Sequence, residues 1–478
     1  MATIVIEIPD ALKPIVEPSM RAYVDAVEQQ VRAGEARRRV DYAGFEVKLA
    51  EATAAMERAG HQAALSALDV DAPGLTLSGV AYTRVGRYQA PYKTPAGPVP
   101  VMRSLYRRVG ERNGETVNLV TLRSGAVADE WLPDTAKQMA HLLQLGPSRE
   151  AEQTAQRLGR LPYSRSSFER VGHAVGEMYV PRRHDIEEIL IGSFEVPDEA
   201  ASVSVSLDRV TVPMEEPRPR PPGRPRKNAP RRPVDRVFRM AYCGTVTLHD
   251  ADGEALHTIR YGCMPLSDAE ALCTSLAGDV VAMRERRPDL HVMLLCDGAP
   301  EMWNLLDAEF DEETFGKVHR LIDFWHAVEK LAPAAKVIAG DDEASKPLLA
   351  RWKLLLRNSS SARAKILGEL HASGKEHVTV GTSEPVHEAI TYFTNNAKRM
   401  DYAAARRERL PIGSGNVEAT CKTLVGQRMK RSGSRWKNAT GDHVLHMRAL
   451  SLSDRWDAAM GITLRVTPPR IEVAACSA

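Results

Sequence analysis

The chain has 478 residues, 43% hydrophobic and 26% charged, with 64 basic against 62 acidic side chains and a net charge of +2. It is too long for one simple domain, apolar enough for real cores, and too near neutral for the whole chain to act as a polycation. Its six cysteines show neither a C-x-x-C pair nor metal-ligand spacing, and no apolar run approaches the roughly 20 residues of a membrane span. The opening "MATIVIEIPDALKP" lacks the regions of a secretory signal, so a soluble, cytoplasmic protein without a membrane partner is expected.

Residues 1–72 read as an N-terminal helical segment. Apolar positions recur every three or four residues through "MRAYVDAVEQQVRAG" and "VKLAEATAAMERAGHQAALSAL", a stripe suited to pairing within a domain or between subunits. Residues 73–130 change period and predict a small β-rich module of short strands broken by Gly and Pro. Residues 131–198 return to helix: "DTAKQMAHLLQLG", "SREAEQTAQRLGRLP" and "SRSSFERVGHAVGEMY", with Ser148 and Ser164 or Ser166 as N-caps. Three short helices fit a helix-turn-helix reader of DNA and fit an ordinary helical subdomain equally well.

From residue 199 the pattern is α/β. "VSVSLDRVTV" alternates, with Val203, Val205 and Leu207 on one face and Ser204, Ser206 and Asp208 on the other. "RVFRMAYCGTVTLHD" and "ALHTIRYGCM" predict two more strands, "DAEALCTSLAGDVVAMRERRP" a crossover helix, and "HVMLLCDG" a buried parallel strand. "VHRLIDFWH" reads as the fifth strand. Residues 327–409 are almost wholly helical, and "SGNVEATCKTLVGQRMK" is a further helix. Three strands, a helix, two strands, a helical insertion and a late helix is the order of an interrupted ribonuclease H-like domain. Its parts span 199–326 and 410–460, before a tail at 461–478. The whole is a multidomain α+β chain, with a ribonuclease H-like catalytic α/β domain interrupted by an all-helical insertion at 327–409.

Three carboxylates stand where this topology needs them. Asp208 follows the alternating strand, Asp297 ends the buried one, and Glu418 lies in the first turn of the late helix. A few acids gathered beyond strand ends can hold two Mg2+ (or Mn2+) ions for in-line chemistry on a phosphodiester. Each has a plainer reading: Asp297 before Gly298 as a turn, Asp208 as an exposed strand residue, Glu418 as a partner of the helix dipole and of Lys422. Together the three carry the functional reading.

Basic residues are clustered locally. Residues 217–239 carry nine Arg/Lys against one acid, and residues 401–437 nine against three. The segment 217–233, with seven prolines and seven Arg/Lys, interrupts the first two catalytic strands and has nothing to bury. Its core "PGRPRK", with Arg224, Arg226 and Lys227, looks like a minor-groove AT-hook; a solvated loop of nonspecific phosphate affinity is the even alternative. Around Glu418, the residues Lys422, Arg428, Lys430, Arg431, Arg435 and Lys437 are placed to track phosphates.

These segments resemble the ISKra-type insertion-sequence transposases, DDE enzymes akin to the Mutator superfamily, from about residue 75 to 460. The resemblance is sharpest at "SLDRVTVPM", "LLCDGAPEMWNLL", "LIDFWHAVEKL", "PIGSGNVEATCKTLVGQRMKRSGSRW" and "RALSLSDRWDAAM". It implies a DDE triad at Asp208, Asp297 and Glu418, an all-helical insertion, double-stranded DNA (transposon ends and target) as partner, and a homo-oligomer. It also implies a bacterial, cytoplasmic setting. A C/D-x-x-H motif of the relatives falls on Asp323 and His326, auxiliary candidates for DNA contact or ligand orientation; a satisfied core histidine is the plainer reading. The chain departs from the family in having Arg209 where Gly is usual, a side chain able to crowd the metal site or reach a phosphate. It also lacks zinc-type cysteine pairs in residues 74–125. Two other functions remain: a ribonuclease H-like nuclease or resolvase, which hydrolyses without joining strands, and a catalytically silent transposase-derived DNA-binding protein.

Overall fold

The computed structural model describes residues 7–10, 12–36, 39–217, 223 and 234–473. It is a mixed α+β chain dividing into two compact units, Met1–Tyr179 with Met460–Ala478, and Val180–Ala459. Among the described residues, no helix is long and apolar enough to cross a membrane.

The first unit opens with helices α1 (Lys13–Glu35) and α2 (Tyr42–Ser66), the latter capped by Asp41, which accepts from the Gly44 amide. An antiparallel meander follows: β1 (Gly74–Leu77), β2 (Val80–Thr94), β3 (Gly97–Arg108) and β4 (Thr116–Asn118), with a terminal strand Ile471–Val473 on the free edge of β1. The prolines do not break these strands into short pieces; β2 and β3 form one long hairpin. Lys93 donates its amide to the Glu130 carbonyl, away from β3. Strand alternation therefore turns the Lys93–Pro98 and Pro91–Pro100 pairs away from the shared ladder, where a missing N–H costs nothing.

Helices α3 (Leu119–Ser124), α4 (Pro133–Leu145), α5 (Ser148–Arg157) and α6 (Arg165–Tyr179) complete this unit. Ser148 is not a cap: α5 starts after Pro147, and the Ser148 hydroxyl donates to Glu169 on α6. The Ser164 hydroxyl meets those of Ser166 and Ser167, while Glu152 of α5 accepts the Arg165 amide.

The second unit begins with α7 (Arg183–Gly192). Then come β5 (Ser202–Pro217), β6 (Val234–His249), β7 (Ala255–Cys263), α8 (Ala269–Arg286), β8 (His291–Cys296), α9 (Pro300–Glu309), α10 (Glu312–Phe315) and β9 (Val318–Ile322). The sheet order is β7-β6-β5-β8-β9; β5, β6 and β7 are antiparallel, and β8 and β9 run parallel to β5. Residues 202–207 of β5 are all buried, so alternation there separates two covered faces rather than inside from outside.

Val203, Val205 and Leu207 pack with Leu272, Cys273 and Leu276 of α8 and Met302, Trp303 and Leu306 of α9. The opposite face, with Val212 and Met214, packs on Val417, Cys421 and Leu424. Close approach there depends on Gly262 of β7, where a Cβ would stand 2.7 Å from Leu424.

From β9 the chain enters five helices: α11 (Phe324–Ala339), α12 (Asp342–Asn358), α13 (Ala362–Ala372), α14 (Pro385–Asn395) and α15 (Tyr402–Arg407). The apolar segment "VHRLIDFWH" is thus strand only to Ile322, and its Phe-Trp-His is the first turn of α11. A return loop leads to α16 (Gly415–Thr420), which runs on through a π-helical turn, Cys421–Gly426, into α17 (Gln427–Met429); α18 (Asn438–Leu452) follows.

Candidate active site

Asp208 lies inside β5 rather than at its end, but it is where β5 outruns its parallel neighbour. The β5–β8 register pairs Val205 with Leu294; continued three residues, it would set Asp208 opposite Asp297, one residue past the end of β8. Adjacent strands lie about 4.8 Å apart, and opposed residues share a face. The Cys296 thiol, donating to the Leu207 carbonyl at 2.9 Å, keeps the strands together up to that point. Asp297 is held by its own turn: Oδ1 accepts the Ala299 amide at 2.9 Å, and its carbonyl accepts Trp303 Nε1 at 2.7 Å.

Period two turns Asp208 to the face shared by Val212 and Met214, against which the late helix packs. Cys421 of that helix donates its thiol to Asp208 Oδ2 at 3.4 Å. Glu418 precedes Cys421 by three residues, about one turn, and so lies on the same side. Its carboxylate is 39% exposed, and Oε1 is 3.9 Å from His326 Nδ1.

Asp323 ties these elements together. It is fully buried, caps α11 through the His326 amide at 2.8 Å, and meets His326 Nδ1 at 3.2 Å. Its other oxygen accepts the Ser414 amide, and the Phe324 amide donates to Ile412 O at 2.9 Å. The return loop is thereby fastened to the end of β9 just before the Glu418 helix begins. Burial alone would raise the Asp323 pKa, but the hydrogen bonds from His326 and Ser414 outweigh it and hold the carboxyl below its usual range. The same hydrogen bond to Asp323 pushes His326 up to about 9, with Asp297 among the acids adding to the effect. One ligand atom each from Asp323, His326 and Glu418 lies within 4.8 Å of the others.

Arg209, next to Asp208, turns to the other face and pairs with Glu301 at the start of α9, while Tyr242 donates to the same carboxylate at 2.6 Å. It neither crowds the acids nor stands free.

Of the basic residues, Lys422, Lys430, Arg435 and Lys437 are exposed and Arg431 half-buried. Arg428 is a correction: it is 4% exposed, with its guanidinium 4.8 Å over the Trp436 ring, and packs the interior instead of facing a phosphate. Cys421, Leu424, Val425, Arg428 and Met429 follow one helical stripe, which is the sequence signal for its burial. Arg224, Arg226 and Lys227 lie outside the described residues. Their segment joins Pro217 to Val234, the last paired residues of the β5–β6 hairpin.

Two further residues stand at the site: Arg448, which opens the segment "RALSLSDRWDAAM" but has no role assigned there, and Tyr392, which carries no motif. Arg448 donates to the Thr423 carbonyl at 2.9 Å, within the π turn, where the regular helical ladder is interrupted. Tyr392 of α14 lies against Gly298, where a Cβ would collide with its ring. Beside them opens a cleft of about 660 Å³, lined in part by Trp303, Asn304, Lys330 and Arg399.

No family model and no curated protein matches the chain. Among solved structures, a chain of the Drosophila P element transposase strand transfer complex aligns at 12% identity over 67% of this chain and 79% of that one, with a TM-score of 0.26. A chain of the Mos1 transposase paired-end complex with left transposon end aligns at 17% identity over 57% and 77%, with a TM-score of 0.15. Neither score reaches the level at which two folds superpose.

Proposed function

We propose that the chain is a DNA transposase of the DDE type with a ribonuclease H-like catalytic domain. The observation that carries this is that Asp208 of β5 and Asp297, one residue past the end of its parallel neighbour β8, fall opposite each other when the β5–β8 register is continued, with Cys421 of the helix that bears Glu418 donating to Asp208. The sheet order, with three antiparallel strands flanked by two parallel ones, supports the domain assignment.

The donor set fits Mg2+ or Mn2+: three carboxylates supply hard oxygen ligands and leave room for water, and Asp208, Asp297 and Glu418 would hold two ions. When bound, such ions activate a nucleophilic oxygen and stabilise the leaving oxygen of an in-line displacement. The chain's own part is positional. In this reading the continued β5–β8 register would set the two aspartates side by side; Asp323 fastens the loop before Glu418; His326, raised to about 9 by its hydrogen bond to Asp323, sits where it can orient Glu418 or meet a phosphate. Lys422, Lys430, Arg431 and Arg435 then follow the backbone of double-stranded DNA, first a transposon end and later its target. A homo-oligomer would pair two ends.

The test is a strand-transfer assay with the inverted repeats flanking the gene and MgCl2. Wild type is expected to cleave and join. Asp297→Asn should lose both by at least about 10³-fold, the scale of removing one preorganised charge contact, with its melting temperature unchanged. Cleavage without joining would mean a nuclease or resolvase, and an undiminished variant would refute the triad.

A further inference from the structure

At the other end of the same two parallel strands stands a second cluster of ligands. His291 opens β8, His319 is the second residue of β9, and Glu408 follows α15. Six residues of β8 separate it from Asp297, about 20 Å of strand. One ligand atom from each of the three lies within 4.8 Å of the other two.

His319 is the telling member. Its Nε2 is buried and 3.2 Å from Glu408 Oε2, yet among the described residues it makes no hydrogen bond. Two donors held about 2.0–2.1 Å from one tetrahedral ion stand roughly 3.4 Å apart. A short N···O distance without hydrogen-bond alignment is what a shared ion produces. The rings of His291 and His319 meet edge to face, 6.0 Å apart at 71°, rather than stacking.

We propose that His291, His319 and Glu408 form a binding site for a transition-metal dication of the Zn2+ class, separate from the carboxylate site. Two imidazoles and one carboxylate are the donors that select such ions over Mg2+. The ion ties the exit of the helical insertion to the N-terminal edge of β8 and β9. Glu408 lies just before the loop whose Ile412 and Ser414 are fastened to α11, so binding there stiffens the path towards Glu418. Lys317 Nζ, 3.3 Å from both Glu408 oxygens, is the cation displaced. A third group, His377, Glu384 and His387, also falls within 4.8 Å. Its imidazoles already have glutamate partners at 3.1 and 3.2 Å, which makes it the weaker competitor.

The experiment is calorimetric titration of the metal-stripped full-length protein with ZnCl2 in excess MgCl2, alongside thermal denaturation. A Zn2+ site should vanish, or weaken at least 10-fold, in both His319→Ala and Glu408→Gln. It should persist in His326→Ala and in a His377→Ala/His387→Ala double variant, and Zn2+ should raise the melting temperature of wild type more than that of Glu408→Gln. Glu408 is partly exposed, so that variant guards against loss of fold in His319→Ala. Absence of Zn2+ binding to wild type overturns the proposal, as does binding lost only in the His326 or His377/His387 variants.

Discussion

The two sheets of this protein are built on opposite plans. In the first unit, β2 leaves most of its first ten residues exposed, including Val85 and Tyr88, and becomes buried only towards Thr94. In the second, β5 is buried on both faces from Ser202 to Leu207, just before it presents Asp208. An exposed antiparallel ribbon can slide and bend at small cost. A strand clamped between α8 and the Glu418 helix cannot, because a shift of one residue would carry Val203, Val205 and Leu207 to the wrong face. Asp208 directly follows the stretch of β5 that is buried throughout, a placement that would suit the proposed role of the acids.

The sharpest break of this comparison is a pair of truncations. Leu207→Ala should cost about 3 kcal/mol, the usual price of a cavity in a closed core. Val85→Ala, on the open ribbon, should change stability by less than about 0.5 kcal/mol. Tryptophan fluorescence in urea reads the two separately: Trp303, Trp325, Trp352, Trp436 and Trp456 report the second unit and Trp131 the first. Equal shifts would mean the two sheets are not differently constrained.

Covering a sheet on both faces also buries titratable groups. His446 of α18 is held down to about 3 by burial, and by the charges of Arg183, His184 and His443. The unfolded chain takes up a proton near pH 6.5 that the folded chain refuses. Stability from this group is therefore complete above about pH 6.5 and falls with acidification by roughly 1.4 kcal/mol per pH unit towards pH 3. His446→Gln should flatten the denaturation midpoint between pH 6.5 and 5, and an unchanged slope would mean that the imidazole charges without penalty. A smaller loss, about 1–3 kcal/mol, is expected for Gly298→Ala, whose new methyl must displace the Tyr392 ring.

Much of the second unit was legible because its signals are local. Alternation in β5, the apolar run of β8 and the acid closing each segment need no partner to be read. The order of strands and helices followed from them. What escaped reading depends on tertiary context or on competing signals. Phe324 and Trp325 prolong the apolar run of β9, so the segment imitates a longer strand; Asp323, capping His326, was the overlooked start of a helix. The prolines of β2 and β3 read as breakers because their direction relative to the ladder is invisible before pairing is known. Tyr392 reaches the site from a segment with no motif, through packing against Gly298, and Arg448, though it opens a recognised segment, shows its partner Thr423 only once the helices have met.

The smallest expected effect separates two neighbours that composition treats alike. Arg428 lies on the apolar stripe, its guanidinium 4.8 Å over the Trp436 ring; Lys430, two residues on, is exposed. Removing Arg428 takes away a stacked cation and its covered stem, so Arg428→Ala should lower stability by about 1–2 kcal/mol. It should leave the salt dependence of DNA binding as it was. Lys430→Ala should do the reverse: no measurable change in stability, a modest loss of affinity on any duplex, and a slope of log K against log salt shallower by about 1, one phosphate contact fewer. If Arg428→Ala alone flattened that slope, the guanidinium would have to leave Trp436 when DNA arrives, and the helix bearing Glu418 would be the element that moves.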